Sequence, residues 1–149
     1  MLEWLESLSL AVWLRDSVSI WAYPTVLTLH TMGLSVLVGA SALLDLRLLG
    51  VSRSIPLSAF RWVSTAVAIG LTVNLITGGM LFIKDPLTWG KSIPFLVKMS
   101  LVVISAATVL PMRRYVSSGE AGGSARLLAV TSLVAWSAAV TAGRLLAYL

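Results

Sequence analysis

The chain has 149 residues, of which 58% are hydrophobic and 11% charged, with a formal net charge of +5. Soluble domains carry about a quarter charged residues, so this composition and a mean hydropathy of +0.93 exclude an ordinary soluble fold and predict a polytopic membrane protein of one compact bundle. The absence of cysteine excludes disulfides, thiolate metal sites and covalent c-type haem attachment. The basic residues sit mainly in predicted loops without interleaved aromatics, so the charge reads as topology and anionic headgroups rather than nucleic acid.

The predicted class is all-α: a four-helix transmembrane bundle with an N-terminal interfacial amphipathic helix, forming a single integral membrane domain over 1–149. In residues 1–16, Leu2, Trp4, Leu5, Leu8 and Val12 recur mostly at helical spacing, with Glu3, Glu6, Ser9 and Arg15 largely between them. That pattern predicts an interfacial helix over about 2–15, anchored by Trp4 and Trp13. Glu3 and Glu6 stand where a signal peptide would be basic.

Ser17 to Leu44 contains no formal charge and one histidine, His30. The first span is placed at about 23–46, with Pro24 in its first turn. It closes in Asp45-Leu46-Arg47-Leu48-Leu49-Gly50, with the glycine as the stop. The second span is placed at about 62–83 after a loop containing Pro56. A turn over Lys84–Lys91 leads to the third span, about 93–112, with Pro94 in its first turn. Arg113, Arg114 and the stretch Ser117–Ser124 form the next loop, and the fourth span covers about 127–148.

Arg47, Arg53, Arg61, Arg113, Arg114 and Arg126 fall on one side of this plan; Arg15, Lys84 and Lys91 fall on the other. The bias places the loops at 47–61 and 113–126 in the cytoplasm, with both termini outside.

The polar groups of the spans share a level. His30 lies six residues after Pro24, roughly 9 Å along a helix rising ~1.5 Å per residue, and Lys98 lies four after Pro94, roughly 6 Å in. Asn74 and Thr77 fall in the outer half of the second span, and Thr141 and Arg144 in the last turns of the fourth. Ionisable groups in a span usually face the interior and mark a function. Each also has a plain structural reading: snorkelling for Lys98 and Arg144, interhelical hydrogen bonding for His30 and Asn74.

Asp45 is read at the cytoplasmic end, so no carboxylate is placed inside a span. A proton- or cation-driven pump, which usually needs a buried acid, is therefore disfavoured. Arg47 is expected to pair with Asp45 or a headgroup in a structural role that lysine could fill. A Ser-His-Asp triad cannot form around His30. Zinc or Cu(II) would want more ligands than one imidazole, and the methionines read as packing. A haem b needs only one proximal imidazole. His30 is the candidate ligand and Lys98 the second, so these two are also the candidate metal-binding residues. Asn74, Thr77 and Arg144 are expected around them, and Gly33 is expected to keep the first helix thin for a flat macrocycle. The expected partners are the lipid bilayer and a homo-oligomer mate or redox partner. The alternative is a non-enzymatic copper- or small-molecule-handling subunit.

Tyr23-Pro24, His30 with Gly33, Asp45 to Gly50, Lys98 and Gly143-Arg144-Leu145-Leu146-Ala147-Tyr148 resemble a group of four-helix bacterial membrane proteins across nearly the whole chain. More distantly, His30, Arg47 and Lys98-Met99 are similar in placement to residues of HemJ-type protoporphyrinogen oxidases, and the general plan is shared with copper-resistance D-like membrane domains. The HemJ likeness implies b-type haem held by the histidine and the lysine. That family's further histidines and tryptophan-rich surroundings are missing, so its oxidase activity is not carried over.

Overall fold

The computed structural model describes residues 9, 12, 13, 20–119 and 122–145. The predicted interfacial helix therefore lies outside the described residues apart from Ser9, Val12 and Trp13, which are helical, and so does the end of the fourth span beyond Leu145. Four long helices run up and down: α1 (Ala22–Leu49), α2 (Arg61–Lys84), α4 (Ile93–Ser118) and α5 (Gly123–Leu145). A 3-10 turn (Leu57–Phe60) leads into α2, and a five-residue helix α3 (Pro86–Gly90) joins α2 to α4. All four are long and apolar enough to cross a membrane. A helix of 28 residues such as α1 is about 42 Å long at ~1.5 Å per residue, more than the ~30 Å hydrocarbon core requires.

The sequence explains where the helices stop. Gly50 adopts φ 106°, and the N–H groups of Gly50 and Val51 donate to the carbonyls of Arg47 and Leu46 at 3.1 and 3.0 Å, closing α1 as a left-handed glycine cap does. Asp85 accepts from the Thr88 N–H at 3.2 Å and Pro86 follows at the first helical position, the favoured start for a helix. Gly119, at φ 75°, ends α4.

Three boundaries differ from the sequence reading. α1 continues to Leu49 rather than ending at about 46. α5 begins at Gly123 rather than at about 127. α4 runs through Pro111 to Ser118 instead of stopping near Met112, which puts Arg113 and Arg114 on the helix. A membrane helix tolerates an internal proline where its surroundings re-satisfy the freed backbone.

α1 packs along α2 on one side and α5 on the other; α4 packs chiefly on α5 and more sparsely on α2. The molecule is thus two hairpins, α1–α2 and α4–α5, joined mainly at the α1–α5 seam. The stripe Ala125, Ala129, Ser132, Trp136, Ala139 of α5 is buried, and α5 is the most buried of the four helices. Its small residues allow backbones to approach, as membrane helix interfaces require.

At the end carrying Arg47, Arg53, Arg61, Arg113, Arg114 and Arg126, the core is solid. Leu44, Leu48, Leu57, Val63, Met112 and Val116 pack into one cluster. At the opposite end Phe82 stacks on Phe95 with ring centroids 5.4 Å apart, and the Lys84 ammonium sits 3.8 Å from the centre of the Tyr23 ring. Outward faces are apolar on every long helix, including Leu29, Met32, Ile69, Ile76, Val103, Leu110, Leu127 and Val134. Trp21 and Trp62, at opposite ends, are both 70% exposed, the placement expected of aromatic anchors at two membrane interfaces.

Candidate functional site

α1 and α2 meet through a reciprocal polar clasp. The His30 ring lies on Gly78 of α2, where an added Cβ would stand 3.2 Å from its Cε1. The Asn74 amide of α2 lies on Gly33 of α1, where an added Cβ would stand 2.9 Å from its Nδ2. Asn74 donates to the His30 carbonyl at 3.2 Å. One turn further along α1 the helices touch at backbone level, since a Cβ on Gly70 would meet the Leu37 nitrogen at 2.9 Å.

The clasp fixes how the imidazole is used. Thr77 Oγ1, buried in the interface, donates its one proton to the Val73 carbonyl at 2.7 Å. With that proton on the Val73 carbonyl, Thr77 Oγ1 accepts from a hydrogen on His30 Nδ1, 2.9 Å away, the tautomer in which Nε2 keeps its lone pair. A second-sphere oxygen holding one ring nitrogen sets the tautomer of ligand histidines in the same way.

Lys98 is half-buried on α4, and its side chain lies over Gly143 of α5, where an added Cβ would be 3.3 Å from its Cε and 3.6 Å from its Nζ. The two side chains rest on different neighbours, His30 on α2 and Lys98 on α5. Of the expected surroundings, Asn74 and Thr77 join His30 directly. Gly33 does so through Asn74, and the space beside it is filled by that amide and Val73. Arg144 is exposed on the last turn of α5, while Thr141 is exposed and bonded to the carbonyl of Ser137 in its own helix.

Surface depressions lie at Leu110, Arg113, Arg114, Ser117 and Ser118 and along Thr65, Ala68, Ile69, Thr72 and Val73; neither is lined by His30 or Lys98. Among the described residues no three His, Cys, Asp or Glu side chains gather as a metal site.

Asp45 overturns two expectations. It is 0% exposed, placing a carboxylate in the interior of the bundle after all. Arg47 does not pair with it: the Arg47 Nε and Nη2 donate to the Ile55 carbonyl at 2.9 and 2.7 Å, and Nη2 reaches the Arg53 carbonyl at 3.4 Å. The helix repeat separates two residues that are near neighbours in sequence, turning Arg47 to the loop and Asp45 to α5.

No protein-family model, curated protein or solved structure matches the chain.

Proposed function

We propose that the chain is a multi-pass protein of the bacterial cytoplasmic membrane, with both termini outside, that holds a b-type haem through His30 for electron transfer or redox chemistry on a quinone or porphyrin. The arginine-rich end supports the orientation. The Thr77 contact carries the ligand assignment: with a hydrogen on Nδ1 directed to Thr77, Nε2 would have its lone pair free, the form in which an imidazole would hold a haem iron. Haem, when bound, supplies one-electron chemistry. Thr77 orients the ring, Asn74 fixes the His30 carbonyl, and Lys98 is the amine to serve as second ligand or counter-charge, a role that requires it to leave Gly143. The filled space at Gly33 does not fit a macrocycle lying there, so Gly33 is assigned to helix packing instead.

Protein purified from haem-replete cells should show a b-type Soret band that His30→Ala abolishes. Thr77→Val should weaken or shift it by freeing the tautomer. A colourless wild-type preparation overturns the reading.

The closed clasp itself favours a second reading, a non-enzymatic subunit handling copper or a small molecule, in which His30 joins helices. Metal analysis of the purified protein distinguishes bound copper from none.

A further inference from the structure

The α1–α5 seam carries a second polar group, far from His30 and unlike it. Ser41 (1% exposed), Asp45 (0%), Ser132 (0%) and Trp136 (3%) are all buried. Ser41 and Asp45 are four residues apart on α1, and Ser132 and Trp136 are four apart on α5, so each pair shares a face. The Ser132 hydroxyl neighbours the Asp45 carboxyl. Because α1 and α5 are antiparallel, one turn from that contact brings Ser41 level with Trp136.

Both Asp45 oxygens, both serine hydroxyls and the Trp136 Nε1 lack a hydrogen bond of good geometry, although the Ser132 hydroxyl stands beside the Asp45 carboxyl. Buried polar atoms are ordinarily paired, and exceptions point to an ion or water. Among the buried hydroxyls described, Ser64, Thr77, Ser105 and Thr108 each bond a carbonyl of their own helix, whereas Ser41 and Ser132 do not. Arg47 is committed to the loop carbonyls, and the other α5 residues buried along this stripe are alanines.

We propose that Asp45, Ser41 and Ser132 form a binding site for a small monovalent cation of the sodium class. The carboxylate needs one positive charge, since an uncompensated buried ion is costly. A proton lets the carboxyl and the Ser132 hydroxyl beside it bond each other but leaves the Ser41 hydroxyl and the indole without partners. A cation takes the carboxylate and both hydroxyl oxygens as ligands, and a coordinated water accepts from the Trp136 N–H. A divalent ion is a poor match, because hard divalent cations want six or more oxygens and more anionic charge. The site shares no residue with the His30 clasp and stands whether or not haem is bound there.

Thermal unfolding of the full chain in detergent, in NaCl, KCl or choline chloride at equal ionic strength, tests this. The alkali cation should raise the midpoint saturably, by about 5 °C over choline at a hundredfold excess over its Kd. Asp45→Asn should fold and lose that response, while His30→Ala keeps it. Identical wild-type midpoints in all three salts overturn the proposal and leave Asp45 a neutral acid. If Asp45→Asn does not fold, Ser132→Ala decides: a cation titration weakened about tenfold supports the site, and an unchanged titration overturns it.

Discussion

The two polar groups of this bundle solve the same problem in opposite ways. In the His30 clasp, polar side chains of two helices answer each other: imidazole to hydroxyl, amide to carbonyl, each lying on a glycine of the opposite helix. In the Asp45 cluster, five polar atoms face inward without a well-formed hydrogen bond, the nearest approach being Ser132 to the carboxyl. The first lies within a hairpin and the second between hairpins. A clasp of matched groups fixes one geometry; a cluster of unmatched ones selects a guest. The more deeply buried of the two is the one without well-formed hydrogen bonds, which argues that burial alone does not tell a structural polar residue from a functional one.

Substitutions can break this contrast, beginning with the largest effect. Gly70→Val drives a side chain into the Leu37 backbone, which cannot yield as a rotamer does. It should destabilise the α1–α2 pair by about 3 kcal/mol or prevent folding, read by thermal or denaturant unfolding in detergent. Asp45→Leu should instead stabilise the protein by about 1–2 kcal/mol in choline buffer, because it removes an unanswered charge; a loss there would put the cluster on the same footing as the clasp. Arg47→Lys gives up the paired Nε and Nη2 contacts to Ile55 and should cost about 1 kcal/mol. Thr77→Val should cost only about 0.6 kcal/mol, the mean for hydrogen bonds between membrane helices. Gly39→Ala meets nothing within 4 Å and should leave the melting point unchanged or slightly raised, a control for the other glycine.

The four apolar segments and their breakpoints were legible because composition and punctuation carry them: Gly50, Pro94 and the Asp85-Pro86 step are local signals. The extension of α4 through Pro111 was not, since a proline in an arginine-flanked segment reads as a boundary in sequence. The meeting of His30 with Asn74 and Thr77 could be anticipated from shared level along the spans. Level does not reveal azimuth, however, so the seating of Lys98 on Gly143 and the outward turn of Arg144 could not be read. Asp45 is where sequence adjacency misleads. Beside Arg47 it reads as half of a surface pair, yet it continues the buried stripe Gly33, Leu37, Ser41, Leu44, Leu48, and that periodicity is visible in the letters.

The two-hairpin plan has a consequence for how the molecule comes together. Each hairpin completes its own backbone bonding and most of its own packing, so the sparse α2–α4 contact makes the connection through α3 more tether than strut. Severing the chain near Trp89 and producing the halves side by side should yield fragments that insert separately and then recognise each other through the Ala125–Ala139 stripe. Asp45 would remain unsheltered until the second half arrived, which makes the final docking event, rather than insertion, the moment at which that carboxylate is enclosed.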